Sequence, residues 1–107
     1  MTDFTNRREA FENKFAHDEA LRFKAVARRN KLLGLWAARQ LGKSGPEAES
    51  YAGTVVMADF EGPRGENVIR KVVSDFDAAG VPADKDQVRR VLDTFMHRAT
   101  DEIKAGI

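Results

Sequence analysis

The sequence predicts an all-α fold, a four-helix bundle preceded by a mobile N-terminal segment. Three observations carry that expectation. Apolar residues recur at helical spacing along most of the chain, no stretch alternates at the period of a strand, and short glycine- or proline-marked turns separate the periodic runs. At 107 residues, 42% of them hydrophobic, the chain suffices for one modest core. The division expected is a segment over residues 1–17 and a bundle over 18–107.

The first stretch, Thr2 to His17, puts Phe4, Phe11 and Phe15 on one narrow helical line flanked by Arg7 and Arg8, with Lys14 close by. Thr2 or Asp3 can cap its start. The line does not continue into the next helix, because Asp18 and Arg22 occupy its extension. A helix of this length is marginal alone in water, since nucleation is costly. Two readings stand side by side: an ordinary amphipathic helix folded onto the bundle, or an arm that becomes helical when its rings enter a partner's groove.

Arg22 to Gly42 is the central helix. Phe23, Val26, Ala27 and Asn30 share one side of its first half, with Arg22, Lys24, Arg28 and Lys31 turned away. Its second half, Leu32, Leu33, Leu35, Trp36, Ala37, Ala38 and Leu41, leaves almost no polar side, as in a helix enclosed by neighbours. Gly42 stands where a left-handed cap is favoured. Asn30, polar on an apolar side, is expected to fix register through one hydrogen-bonding partner.

Ser44 with Glu47 fits a capping box, with Pro46 in the tolerated first turn. The helix that follows points Tyr51, Val55, Ala58 and Phe60 inward and stops near Gly62-Pro63. Val68, Ile69, Val72, Val73 and Phe76 form the third stripe, closed by Gly80 and Val81-Pro82. Asp84 with Gln87 opens the last helix, whose stripe is Val88, Val91, Leu92, Phe95, Ala99 and Ile103. Short connections favour an antiparallel-style bundle.

Composition excludes several functions. A net charge of +1 selects neither nucleic acid nor a membrane surface. Charge is nevertheless uneven: Arg22 to Lys31 holds five bases and no acid, and Ser44 to Glu61 holds four acids and no base. Such blocks usually solvate helix faces or pair within the fold. The absence of cysteine removes disulfide and thiolate chemistry. No apolar run approaches a membrane span, and the polar start is no secretory signal, so a cytoplasmic protein is expected.

Gly42-Lys43-Ser44 imitates the end of a phosphate-binding loop, but Ala37 stands where that motif needs its first glycine, and a helix leads in where a strand is required. What survives is an anion corner: Lys43, Ser44 and the amides opening the next helix could hold a phosphate, with Trp36 and Arg39 upstream for a base. Core packing is the competing role for Trp36. His17 and His97 have no partner at metal-ligand spacing, so no metal is expected. The carboxylate pairs Asp75/Asp77 and Asp84/Asp86 need not converge at a spacing of two, and no nucleophile neighbours a base. Catalysis is not expected; contact with another macromolecule is.

Lys14 to Gly42, KFAHDEALRFKAVARRNKLLGLWAARQLG, closely resembles the signature of the zeta subunit family, bacterial inhibitors of the F-type ATP synthase. The likeness continues through YAGTVVMADF at Tyr51 to Phe60 and VIRKVVSDFDAAGV at Val68 to Val81, and includes the N-terminal Phe-x-x-x-Arg-Glu pattern. The resemblance implies a bundle with an N-terminal inhibitory arm, here Phe4, Arg7, Arg8, Phe11, Lys14 and Phe15, that inserts between alpha and beta subunits beside gamma and blocks ATP hydrolysis. It also implies a weak regulatory ADP/ATP site on the bundle, no required cofactor, a monomer when free, and a place beside the inner membrane through the synthase. Two other readings are weighed against it. A module binding RNA through the Arg-Arg-Asn-Lys face would want exposed aromatics beside its cations, whereas those near Arg28 are expected inside; an acidic protein partner or a soluble adenine-nucleotide sensor completes the alternatives.

Overall fold

A computed structural model describes residues 19–59 and 65–106. The expected arm with Phe4, Arg7, Arg8, Phe11, Lys14 and Phe15 lies outside the described residues, as do His17, Phe60 and the Gly62-Pro63 stop. The described chain forms four helices: α1 (Glu19–Gln40), α2 (Gly45–Ala58), α3 (Glu66–Ala79) and α4 (Lys85–Lys104). No strand occurs among the described residues. The four-helix bundle expected from the sequence is what forms, and α1 is its hub, packing along α2 and α4 and touching α3.

The strongest part of α1 sets its rotation. Leu33, Ala37 and Ala38 are fully buried, and stepping back by fours from Leu33 gives Arg29 and Ala25, which are buried too. This corrects the stripe expected in the first half: Phe23 is 58% exposed, while Arg29 turns inward. A helix is one rigid rod, so its apolar half decides which way its weaker half faces. Gly34 shows how tightly α1 meets α2. A Cβ there would lie 2.6 Å from the Cα of Ala52, closer than side-chain carbons come to one another. Only a glycine lets the two backbones approach so far.

The helix ends follow the sequence with one exception. Gly42 and Gly80 adopt left-handed conformations (φ +80° and +72°). The next residue then reaches back: Lys43 N–H donates to Ala38 O at 2.8 Å and Val81 N–H to Phe76 O at 2.9 Å. Asp84 caps α4 by accepting the Asp86 N–H at 2.9 Å. Ser44 is the N-cap of α2, but its side chain makes no capping bond, so the expected capping box does not form. Pro46 removes one of the amides a cap would satisfy. The Glu47 carboxylate lies 3.8 Å from Lys43 Nζ.

The apolar core joins Leu33 and Ala37 of α1 to Val55 of α2, Val68, Ile69, Val72 and Phe76 of α3, and Val88 and Leu92 of α4. Trp36, Tyr51, Val73, Val91 and Phe95 pack against it from the side.

Candidate functional site

Beneath the polar surface of the bundle the structure builds one charged seam that periodicity did not announce. Arg29 is 8% exposed. Its Nε donates to Asn30 Oδ1 at 2.9 Å, and its Nη2 lies 3.8 Å from Asp59 at the end of α2. Nη2 is buried without a hydrogen-bond partner among the described residues, so Asp59 answers it through charge alone. Burial pulls the guanidinium below its ordinary range, and Asp59 and Asp93 act in the opposite direction. Asp59 Oδ1 also accepts the N–H of Gly65, the residue before α3, at 3.4 Å. One carboxylate thus ties α1 to both ends of the connection between α2 and α3. Among the described residues the partner of Asn30 is its own neighbour on α1 and not a facing helix, so this bond does not fix register as expected.

A second polar contact joins α2 to α3. Tyr51 Oη donates to Asp75 Oδ2 at 2.7 Å, and Lys71 Nζ reaches the same oxygen at 3.0 Å while standing 5.3 Å from the centre of the Tyr51 ring. Burial, then the bond to Asp75, pushes the Tyr51 phenol above its ordinary range. Asp75 is therefore engaged, and it forms no working pair with the exposed Asp77. Asp84 serves as a helix cap, which accounts for the other carboxylate pair. His97 is exposed, and no three metal-ligating side chains converge among the described residues.

The four residues of the expected anion corner are placed as follows. Trp36 packs on Phe76, with ring centres 5.8 Å apart. Arg39 is exposed on the last turn of α1. Lys43 is half-buried with its ammonium near Glu47, and Ser44 is exposed.

The basic block of α1 is sorted by the fold. Arg29 goes inside. Lys24, Arg28 and Lys31 line an open groove of about 720 Å³ whose apolar members include Leu21 and Ala27 of α1, Val56 of α2 and Ile103 of α4. Arg28 Nη1 lies 3.5 Å from Glu102 and Lys31 Nζ 3.4 Å from Glu49. Neither the inward Arg29 nor this groove was found from the sequence. The signal for Arg29 was its place four residues before Leu33; the groove, built by three helices, left none. Among the described residues no helix is long and apolar enough to cross a membrane.

Against known proteins, a family model described as ATPase inhibitor subunit zeta matches residues 1–102. A solution NMR structure is similar in fold and sequence: it is 45% identical, superposes with a TM-score of 0.71, and the match covers 81% of this chain and 99% of that one. No curated protein matches the chain.

Proposed function

The chain belongs to the ATPase inhibitor subunit zeta family, and from that premise we propose that it restrains ATP hydrolysis by the F-type ATP synthase through its N-terminal arm. The family is regulatory rather than catalytic, and it implies association with the ATP synthase. The proposed mechanism is a steric wedge. Phe4, Phe11 and Phe15 enter the interface between alpha and beta subunits beside gamma, while Arg7, Arg8 and Lys14 orient the arm by charge. The bundle stays outside as a bulky stop. No bond in ATP is touched by this chain.

The supporting observation is that the family match runs over residues 1–102 and so takes in the N-terminal stretch that carries the phenylalanine line as well as the bundle. The energetics agree in scale. Each buried phenylalanine contributes about 1.5–3 kcal/mol. Three of them offset part of the ordering cost of the arm, at about 1–2 kcal/mol per residue. The remainder falls to the charged contacts and to the bundle. The protein acts as a monomer, peripheral to the inner membrane through the synthase, with neither nucleic acid nor a required cofactor.

Removing residues 1–14, or changing Phe4, Phe11 and Phe15 together to alanine, should leave the helical circular dichroism of the bundle intact and abolish inhibition of the purified ATPase sector. Full inhibition by either variant would refute the wedge.

A further inference from the structure

The groove lined by Lys24, Arg28 and Lys31 is not used by the arm mechanism, and its chemistry is specific. The three cations stand at positions i, i+4 and i+7 of α1, which places them on one face. Lys24 and Lys31 are separated by seven residues, roughly 10 Å along the helix at its usual rise. Beside them lie Ala27, Val56 and Ile103, contributed by three different helices and all only half-buried. The wall is thus a basic row next to an apolar strip, in a chain whose net charge is +1.

Among the described residues Glu102 holds Arg28 at 3.5 Å, both side chains less than a third exposed, so the charge this surface offers is that of Lys24 and Lys31. Glu49 pairs with Lys31 at 3.4 Å, yet their side chains are 59% and 56% exposed. Exposed pairs of this kind contribute at most about 1 kcal/mol and exchange readily for a better-placed carboxylate. A nucleic acid would satisfy the cations but would leave the apolar strip without a complement, since sequence-tolerant RNA binding wants stacking platforms beside the charge. A helix that is acidic on one edge and apolar on the adjoining one satisfies both.

We propose that this groove docks an acidic amphipathic helix of the ATP synthase, giving the bundle a second contact separate from the arm. Resting on the function proposed above, this deepens it: the arm blocks, and the groove guides and holds. The partner helix carries carboxylates about two turns apart, matching Lys24 and Lys31, with aliphatic residues between them that cover Ala27, Val56 and Ile103. Charge of this sort acts chiefly on the rate of encounter and on its dependence on salt.

The experiment uses the full-length chain and the purified ATPase sector. Onset of inhibition is timed at low and high ionic strength for the unmodified chain, for Lys24→Glu/Lys31→Glu, and for a charge-matched control on the opening turns of α4, Lys85→Glu/Arg90→Glu. Circular dichroism checks that all three are folded. The groove double variant should bind at least about tenfold more slowly at low salt and with a clearly shallower salt dependence, the arm's own cations keeping the remainder, with the control near the unmodified chain. A groove variant indistinguishable from the control overturns the groove while leaving the arm mechanism intact. An unmodified chain that fails to slow hydrolysis removes the proposed function, and the groove proposal with it. Displacement of the ATPase sector by a random-sequence RNA, lost in the same double variant, assigns the groove to nucleic acid and overturns the proposal. Pairing of the chain with itself through the groove, seen by sedimentation and abolished in the variant, overturns it too.

Discussion

The two halves of α1 are held in place by different forces. Its second half is seated by shape: Leu33, Ala37 and Ala38 are fully buried, and Gly34 brings the backbone against Ala52 of α2. Its first half has only Ala25 as a buried apolar residue, and its inward positions go to Arg29 and Asn30. There the helix is secured by a guanidinium with a carboxylate at 3.8 Å. Apolar contact is indifferent to small changes in angle, whereas a buried charge demands its counter-charge and penalises its loss. The half nearest the arm therefore rests on the more conditional kind of contact.

The largest effect should come from spoiling the shape. Gly34→Val puts side-chain carbons where Ala52 already stands and should cost about 3 kcal/mol in urea unfolding, near the upper end for overpacking. A loss below about 1 kcal/mol would mean that α2 retreats freely and that the seat is loose. Next comes the charge. Asp59→Asn strands the buried Arg29 guanidinium and should cost about 2 kcal/mol, less than a fully sealed pair because both side chains keep some solvent contact. Adding Arg29→Met should recover part of that loss. A silent Asp59→Asn would show that the first half needs no counter-charge, and the contrast between the halves would dissolve.

A third test asks whether polar contacts elsewhere behave alike. Tyr51 is the only tyrosine in the chain, so its ionisation can be followed by absorbance without interference. Its phenol is held above the ordinary range near 10. Below that range the phenol is protonated in both folded and unfolded chains, and nothing is lost. Above it the unfolded chain sheds the proton while the folded one keeps it, so stability falls with rising pH by up to about 1.4 kcal/mol per unit. Tyr51→Phe should lack that slope. Equal slopes would show that in solution the phenol is neither buried nor bonded to Asp75. The smallest effect belongs to the exposed pair Glu66 and Arg89, 2.6 Å apart. Glu66→Gln should leave the urea midpoint unchanged within error, because an exposed pair is largely screened; a clear shift would place it among the structural contacts.

The sequence made the shape-held parts readable. Leu33, Val68, Val72, Phe76, Val88 and Leu92 lie on stripes whose period alone assigns them to the core, and all are buried. Gly42 and Gly80 end their helices as left-handed caps because few other residues adopt that backbone cheaply. The charge-held parts were not readable. Arg29 looked like one more exposed base in a basic run, since its counter-charge sits at the far end of another helix. Phe23 looked like core because aromatic residues usually are, yet the rotation of α1 was settled two turns further on. Ser44 met the pattern of a capping box, and patterns of that kind do not register that the Glu47 carboxylate stands beside Lys43 instead. The groove of Lys24 and Lys31 escaped for a similar reason: each wall is ordinary, and only their assembly is distinctive.

The crossing at Gly34 and Ala52 has a mechanical consequence. With two main chains touching there, axial tension on α1 is shared at once with α2, and the pair yields as a single spar. A tweezers pull from the Glu19 end should therefore peel the early turns at low force and then stall abruptly at Gly34, giving a plateau that a frictionless helix would not show.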